Sequence, residues 1–210
     1  MKRSAWIKFL FVLAPLAVWA EGGSVRGEPG IPRIIVLGPQ RVLVVKAQGD
    51  PSVVAGPAYK SLFRMFQANA GKIEKRHAGA PMARWSLDQL ESAKSLWRGE
   101  YAIPISKSFP APPDGEIRAE VWEYGMVAEV LHIGAYSEET ADIAALKSYI
   151  ARNGFGIIGS YEEVYLKGPG MVFKRSERKY ETLIRYRVER IGESAPPIAK
   201  KNEEKTSERP

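Results

Sequence analysis

The chain has no cysteine and only two histidines, His77 and His132, among its 210 residues. The first absence excludes thiol catalysis, cysteine-ligated metal and disulfide staples, and a core of this size does without staples even in an oxidising compartment. Neither histidine has a second one at the i+3 or i+4 spacing that a helical metal site uses, so no metal site is expected. His132 lies in a strand pattern and reads as a structural hydrogen bonder. No glycine-rich phosphate loop follows a strand, and no serine sits in a Gly-x-Ser-x-Gly elbow. A helix-turn-helix segment is also missing, which disfavours a DNA-binding regulator. No cofactor is implied.

What is present begins with Lys2 and Arg3, the apolar run from Phe9 to Val18, and small residues ending at Ala20 before Glu21-Gly-Gly. These are the charged, hydrophobic and cleavage regions of a secretory signal peptide, residues 1–20, with cleavage expected after Ala20. The apolar run is shorter than the roughly 20 residues of a membrane span, so no stable membrane insertion is expected after cleavage; retention as an anchor is the minority reading. The expected location is the periplasm of a bacterium or the exterior. Loss of Lys2, Arg3 and Lys8 lowers the formal charge from +7 to +4. That mild excess does not argue for nucleic acid as a partner.

Residues 21–40, with Gly22, Gly23, Gly27, Pro29, Gly30 and Pro32, read as a linker. Residues 193–210 read as a disordered polar tail in which lysines and glutamates balance. The segment Lys174, Arg175, Arg178 and Lys179, interrupted by Glu177, reads as a solvated hairpin loop.

Between linker and tail lies one domain, residues 41–192, whose two halves repeat a pattern. Residues 41–49 form a strand ending at a glycine. The apolar spacing of Val54, Tyr59, Leu62, Phe63 and Phe66 then predicts a helix over 52–70. Residues 126–134 are again a strand ending at a glycine, followed by a helix over 137–153 with Ser137 as its expected N-cap and Gly154 as its left-handed C-cap. Two strands follow each helix: 81–85 and 100–106, then 161–166 and 179–190. The fold class is therefore α+β, a duplicated β-α-β-β unit with halves of about 41–107 and 117–190. Its antiparallel sheets should carry both helices on one side and a ligand cleft on the other. Residues 81–85 overlay 161–165, making Ala83 the counterpart of Glu163 and Trp85 that of Tyr165.

Within the last of these segments, strand alternation puts Tyr161, Glu163 and Tyr165 on one face and Val164 and Leu166 on the other. A carboxylate between two aromatic rings is costly to bury without a cationic or hydrogen-bonding partner, which marks a binding feature. Glu163 could equally point to water from a half-exposed strand. Glu162 has the other parity and reads as a rim or edge group. Trp85, Trp122, Tyr101 and Tyr136 are further aromatic candidates for the cleft, and Tyr124 shares the alternating segment of Trp122.

The residues His132-Ile-Gly134-Ala-Tyr136, Glu163-Val-Tyr-Leu-Lys-Gly-Pro169 and Thr182 to Val188 together resemble the GyrI-like small-molecule-binding family. The same domain is the effector-binding part of some AraC-type and MerR-type transcription regulators. The likeness covers about residues 41–190, and Ala135 and Arg187 stand where that family usually has prolines. The resemblance implies an aromatic cleft that takes up hydrophobic, often cationic, small molecules, with Glu163 as its acidic residue. It also implies a second activity, since some relatives hydrolyse strained rings in reactive natural products, and Glu163 would then be the catalytic carboxylate activating water. Two more readings stay open, an envelope interaction module and a haem-binding SOUL-like protein, although the latter's Lys-Ile-x-Met-Thr-x-Pro-Val segment is missing here.

Overall fold

In the computed structural model the described residues are 27–71, 79–169 and 176–192. The expected signal peptide, the expected tail and His77 lie outside them. Among the described residues two α-helices and eight strands follow one another: β1 (Arg33–Leu37), β2 (Gln40–Gln48), α1 (Pro51–Asn69), β3 (Met82–Ser86), β4 (Arg98–Pro104), β5 (Arg118–Trp122), β6 (Gly125–Ile133), α2 (Thr140–Arg152), β7 (Phe155–Lys167) and β8 (Glu181–Arg190). The fold is α+β, with all strands in one antiparallel sheet of order β1-β6-β8-β7-β3-β4-β2-β5.

The repeat is visible in this order. The triplet β3-β4-β2 of the first half mirrors β7-β8-β6 of the second, and the halves meet where β3 pairs with β7. Ala83 stands directly opposite Glu163, with Met82 opposite Val164 and Arg84 opposite Glu162. Overlaying Ala83 on Glu163 maps this ladder onto itself, so the pseudo-two-fold axis passes through that pair.

Residues 33–37, expected as part of a linker, form a strand instead. Pro29, Gly30 and Pro32 frame the apolar run Ile34-Ile-Val36, which pairs with β6, and Pro29 itself bridges Leu131. Correspondingly β5 pairs with β2, so the leading strand of each half completes the outer edge of the other half. Only Gly38 and Pro39 connect β1 to β2, a reach of about 11 Å. In a flat sheet, with five strands between them, β1 and β2 would lie about 29 Å apart. The sheet must therefore curl strongly, with an inner and an outer face.

Both helices cover the outer face. Asp50 caps α1 by accepting the Ser52 amide at 2.9 Å, and Pro51 follows at a position where a missing N–H costs nothing. Ala58, Leu62 and Phe66 of α1 and Leu146 and Ile150 of α2 pack on Leu43, Ala83, Tyr101, Ile103, Val130, Ile184 and Tyr186. The start of α2 differs from expectation. A 3-10 turn, Tyr136–Glu138, precedes it, and Glu138 rather than Ser137 takes an amide, that of Ala135 at 3.3 Å. Gly154 ends α2 at φ +76°, as its C-cap role requires.

The inner face holds a second core of Val42, Val44, Met82, Ala102, Trp122, Tyr124, Val127, Leu131, Val164 and Leu183. Across it runs a row of charges with one residue from each of seven strands: Lys46, Glu100, Arg84, Glu162, Arg185, Glu129 and Arg33, each directly opposite the next in register. Ion pairs join Lys46 to Glu100, Arg84 and Arg185 to Glu162, and Arg185 and Arg33 to Glu129. Glu162, expected as a rim group, is 3% exposed at the centre of this row. A strand slipped by one residue would turn its charge away from the row, so the ladder specifies register together with the hydrophobic alternation.

Candidate functional site

Strand alternation along β7 places Tyr161, Glu163 and Tyr165 on the outer face, toward the helices. The aromatic cluster thus lies on the helix-bearing side of the sheet, not on the opposite side as expected from the sequence. Glu163 sits at the pseudo-two-fold axis, in the seam between the two halves. Tyr161 donates its hydroxyl to Glu163 Oε1 at 2.7 Å and Tyr165 donates to Oε2 at 2.6 Å. Because side chains at i and i+2 of a strand stand side by side, a Tyr-x-Glu-x-Tyr strand clamps its own carboxylate.

The rings form a continuous wall. Trp85 packs on Tyr161 at 5.9 Å and edge-to-face on Tyr101 at 6.2 Å. Tyr59, from α1, meets Tyr101 and Tyr165 edge-to-face at 5.5 and 6.0 Å, and its hydroxyl donates to the Met82 carbonyl. Tyr186 packs on Tyr161 at 5.5 Å. Tyr136, 40% exposed, closes one end by contacting Tyr165 and Tyr180. Gly99 allows Trp85 and Tyr101 to fold over its backbone, since a Cβ there would stand 2.9 Å from both side chains.

Of the residues singled out from the sequence, Glu163, Tyr161, Tyr165, Trp85, Tyr101 and Tyr136 come together. Trp122 does not: it lies on the inner face beneath the Arg84 guanidinium, 3.7 Å from its ring centre, a cation-π contact within the charge row. Tyr59, Tyr186, Glu139 and Thr182 were not anticipated as site residues. Tyr186 shares the parity of Ile184 on β8, so correct pairing of β7 with β8 would have found it. Tyr59 belongs to an amphipathic helical stripe that reads as ordinary core, and Glu139 had no local signal.

Burial makes this an electrostatically unusual place. Burial pushes the Glu163 carboxyl above the ordinary glutamate range, and the two tyrosine hydrogen bonds only partly oppose it. Burial, then the charge of Glu163, pushes Glu139 up to about 9. Tyr186 is raised to about 12 by the same two causes. Tyr101 is also raised to about 12, chiefly by burial. Among the described residues no arginine or lysine forms an ion pair with Glu163, and Lys94 is the cation whose charge acts on it at a distance. Trp85 with Tyr101, and Glu139 with Thr182 and Glu163, are close enough to act on one another as hydrogen-bonding pairs, and among the described residues the Tyr186 hydroxyl is buried with no partner. Buried polar atoms are normally paired, so the lone Tyr186 hydroxyl and a buried carboxyl with no cation paired to it among the described residues set this cluster apart from ordinary core.

His132 stands outside this cluster. Its Nδ1 lies 2.7 Å from Asp142 Oδ2 and its Nε2 3.1 Å from the Ala135 carbonyl, so it ties β6 to α2 structurally, as expected. Among the described residues no group of three or more histidine, aspartate or glutamate side chains is arranged to hold a metal, and no helix is long and apolar enough to cross a membrane.

No family model matches the chain, and no curated protein matches it. Solved structures do. An uncharacterised conserved protein of Listeria innocua is similar over 77% of this chain and 93% of its own, with 19% identity and a TM-score of 0.62. A hydrolase of Listeria innocua covers the same shares with 16% identity and a TM-score of 0.61. The C-terminal domain of EcmrR is similar over 77% of this chain and 98% of its own, with 17% identity and a TM-score of 0.61. These likenesses establish that the fold is shared with those proteins, in agreement with the fold that the GyrI-like resemblance implies.

Proposed function

We propose that the protein is a GyrI-like small-molecule-binding protein whose aromatic cleft takes up hydrophobic, cationic ligands. The observation that carries this reading is the Glu163 carboxylate, clamped by two tyrosines and with no arginine or lysine paired to it among the described residues. A ligand cation placed there would supply the missing counter-charge, and tyrosine and tryptophan faces would supply cation-π and apolar contact. The signal-like residues 1–20 support a place for this binding outside the cytoplasm, in the periplasm or the medium. The mild formal charge of +7, falling to +4 once residues 1–20 are removed, supports a role that does not involve nucleic acid.

The test is a thermal-shift screen with benzyltrimethylammonium and its neutral isostere neopentylbenzene. A ligand at 100 times its dissociation constant stabilises by about 2.7 kcal/mol, so the cation should raise the midpoint and the isostere should raise it much less. Equal shifts, or none with any aromatic cation, would contradict the reading. Export is tested separately: the protein expressed in a Gram-negative host should be periplasmic with Glu21 or a neighbour at its N-terminus. Soluble cytosolic protein retaining Met1 would refute it.

A second reading, hydrolysis of strained-ring small molecules, is favoured by one observation. Glu139 lies beside Glu163, and burial raises both carboxyls above the ordinary glutamate range, which keeps a proton available in the pair for acid–base work. Water addition to a bound ligand, read by mass spectrometry as a gain of about 18 Da, would separate catalysis from binding.

A further inference from the structure

The inner face carries an opening that the aromatic cluster around Glu163 does not explain. A groove of about 560 Å³ is bounded by Lys46, Gln48, Arg84, Ser86, Gln89 and Arg98 among others, and a smaller recess of about 50 Å³ continues it past Arg84 and Ser160 to Arg185 and Arg187. Neither includes Glu163. The larger volume falls in the range of small-molecule sites.

Its charge is one-sided. The row crossing the inner face begins and ends on a cation, so its four cations outnumber its three anions. Two more guanidinium groups flank the row. Arg187 is held by one bond, from Nε to the Tyr124 carbonyl at 3.0 Å, and no carboxylate reaches it among the described residues. Arg98 is exposed and likewise has no ion pair among them. Glu100 and Glu162, the acidic groups lining the opening, are already engaged by Lys46, Arg84 and Arg185.

The backbone shapes the recess. Between Ile158 and Tyr161 the β7–β8 register shifts, and Gly159 takes φ +80° there. This bulge sets Ser160 beside Arg84 and leaves Arg187 along the wall, its NH1 3.8 Å from where a Gly159 Cβ would be. Bulges re-aim side chains in this way next to functional sites. The hydroxyls of Ser86 and Ser160 and the amides of Gln48 and Gln89 supply further polar lining.

We infer that this groove is a second binding site, for a small polar anion whose carboxylate or phosphate groups meet Arg98 in the larger opening and Arg187 in the recess that continues it. Guanidinium groups suit such oxyanions because they present paired donors in a plane. The site is independent of the aromatic cleft, on the other face of the sheet, with Trp85 as the wall between them.

Calorimetry with citrate and with inorganic phosphate, against chloride at matched ionic strength, tests it. The intact protein should bind at least one of the two saturably. Arg187→Gln and Arg98→Gln should each weaken that binding by about tenfold, the scale of one charge-assisted hydrogen bond. Arg98 is exposed, so its variant keeps the fold even if Arg187→Gln does not. No saturable binding of either anion, or losses below about threefold in every folded variant, would overturn the site and leave the groove as a solvated surface.

Discussion

Replacing Glu162 is the sharpest test of what holds this fold in register. Its carboxylate accepts from Arg84 Nε at 2.6 Å, from Arg185 NH1 at 3.4 Å and from the Tyr124 hydroxyl at 2.9 Å. The arginine side chains are only 13% and 10% exposed. Glu162→Gln keeps the shape but leaves Arg84 and Arg185 sharing one fewer carboxylate at the join between the halves. Removing one partner from a buried ion pair costs about 3–5 kcal/mol, because the remaining charge stays desolvated. For a domain of this size that corresponds to a fall in midpoint of roughly 6–20 °C. Removing both partners, as in Glu162→Leu with Arg84→Met, should cost less than the sum of the single changes, since apolar replacements of a buried pair are often tolerated. Urea unfolding of the parent, Glu162→Leu, Arg84→Met and the double variant completes the cycle. A loss below about 1 kcal/mol for Glu162→Gln, the scale of a surface substitution, would refute the claim that the row is structural.

Two further outcomes follow from the aromatic cluster. Because the folded-state affinity of Glu139 for its proton is raised to about 9, the folded state binds more protons than the unfolded chain between about pH 4.5 and 9. Stability should fall as pH rises through that window, by up to about 1.4 kcal/mol per unit, and Glu139→Gln should flatten the fall; unchanged pH dependence in that variant contradicts the assignment. Gly99→Ala should force Trp85 and Tyr101 apart and destabilise by about 1–3 kcal/mol through overpacking, with a changed near-ultraviolet circular dichroism spectrum. A spectrum and stability like those of the parent would mean the rings can yield.

Part of this architecture is legible in the residues alone. Period-two alternation groups Tyr161, Glu163 and Tyr165, and the glycine-ended strands followed by helical stripes reveal the two halves. The side of the sheet is another matter. Alternation separates two faces without saying which one the helices cover, and that depends on packing by Leu62, Phe66, Leu146 and Ile150 over long sequence distances. Glu162 shows the same gap. A glutamate at a strand start reads as solvated, and only its register against Arg84 and Arg185, 78 and 23 residues away, makes it a core residue. Strand β1 was hidden by its flanking prolines and glycines, and its partner β6 lies across the whole first half. Trp122 carried the right chemistry for a cleft but belongs to the inner core, where Arg84 covers it.

Glu163→Gln, measured by calorimetry with benzyltrimethylammonium and neopentylbenzene, tests the central claim most directly. The substitution keeps the size of a side chain whose burial disfavours its charge, so stability should be kept or slightly raised. Affinity for the cation should drop by about 2–5 kcal/mol, as for loss of one partner of a buried charge pair, while the neutral isostere is held as before. Equal affinity of parent and variant for the cation would contradict the account and leave Glu163 a structural carboxylate between two tyrosines.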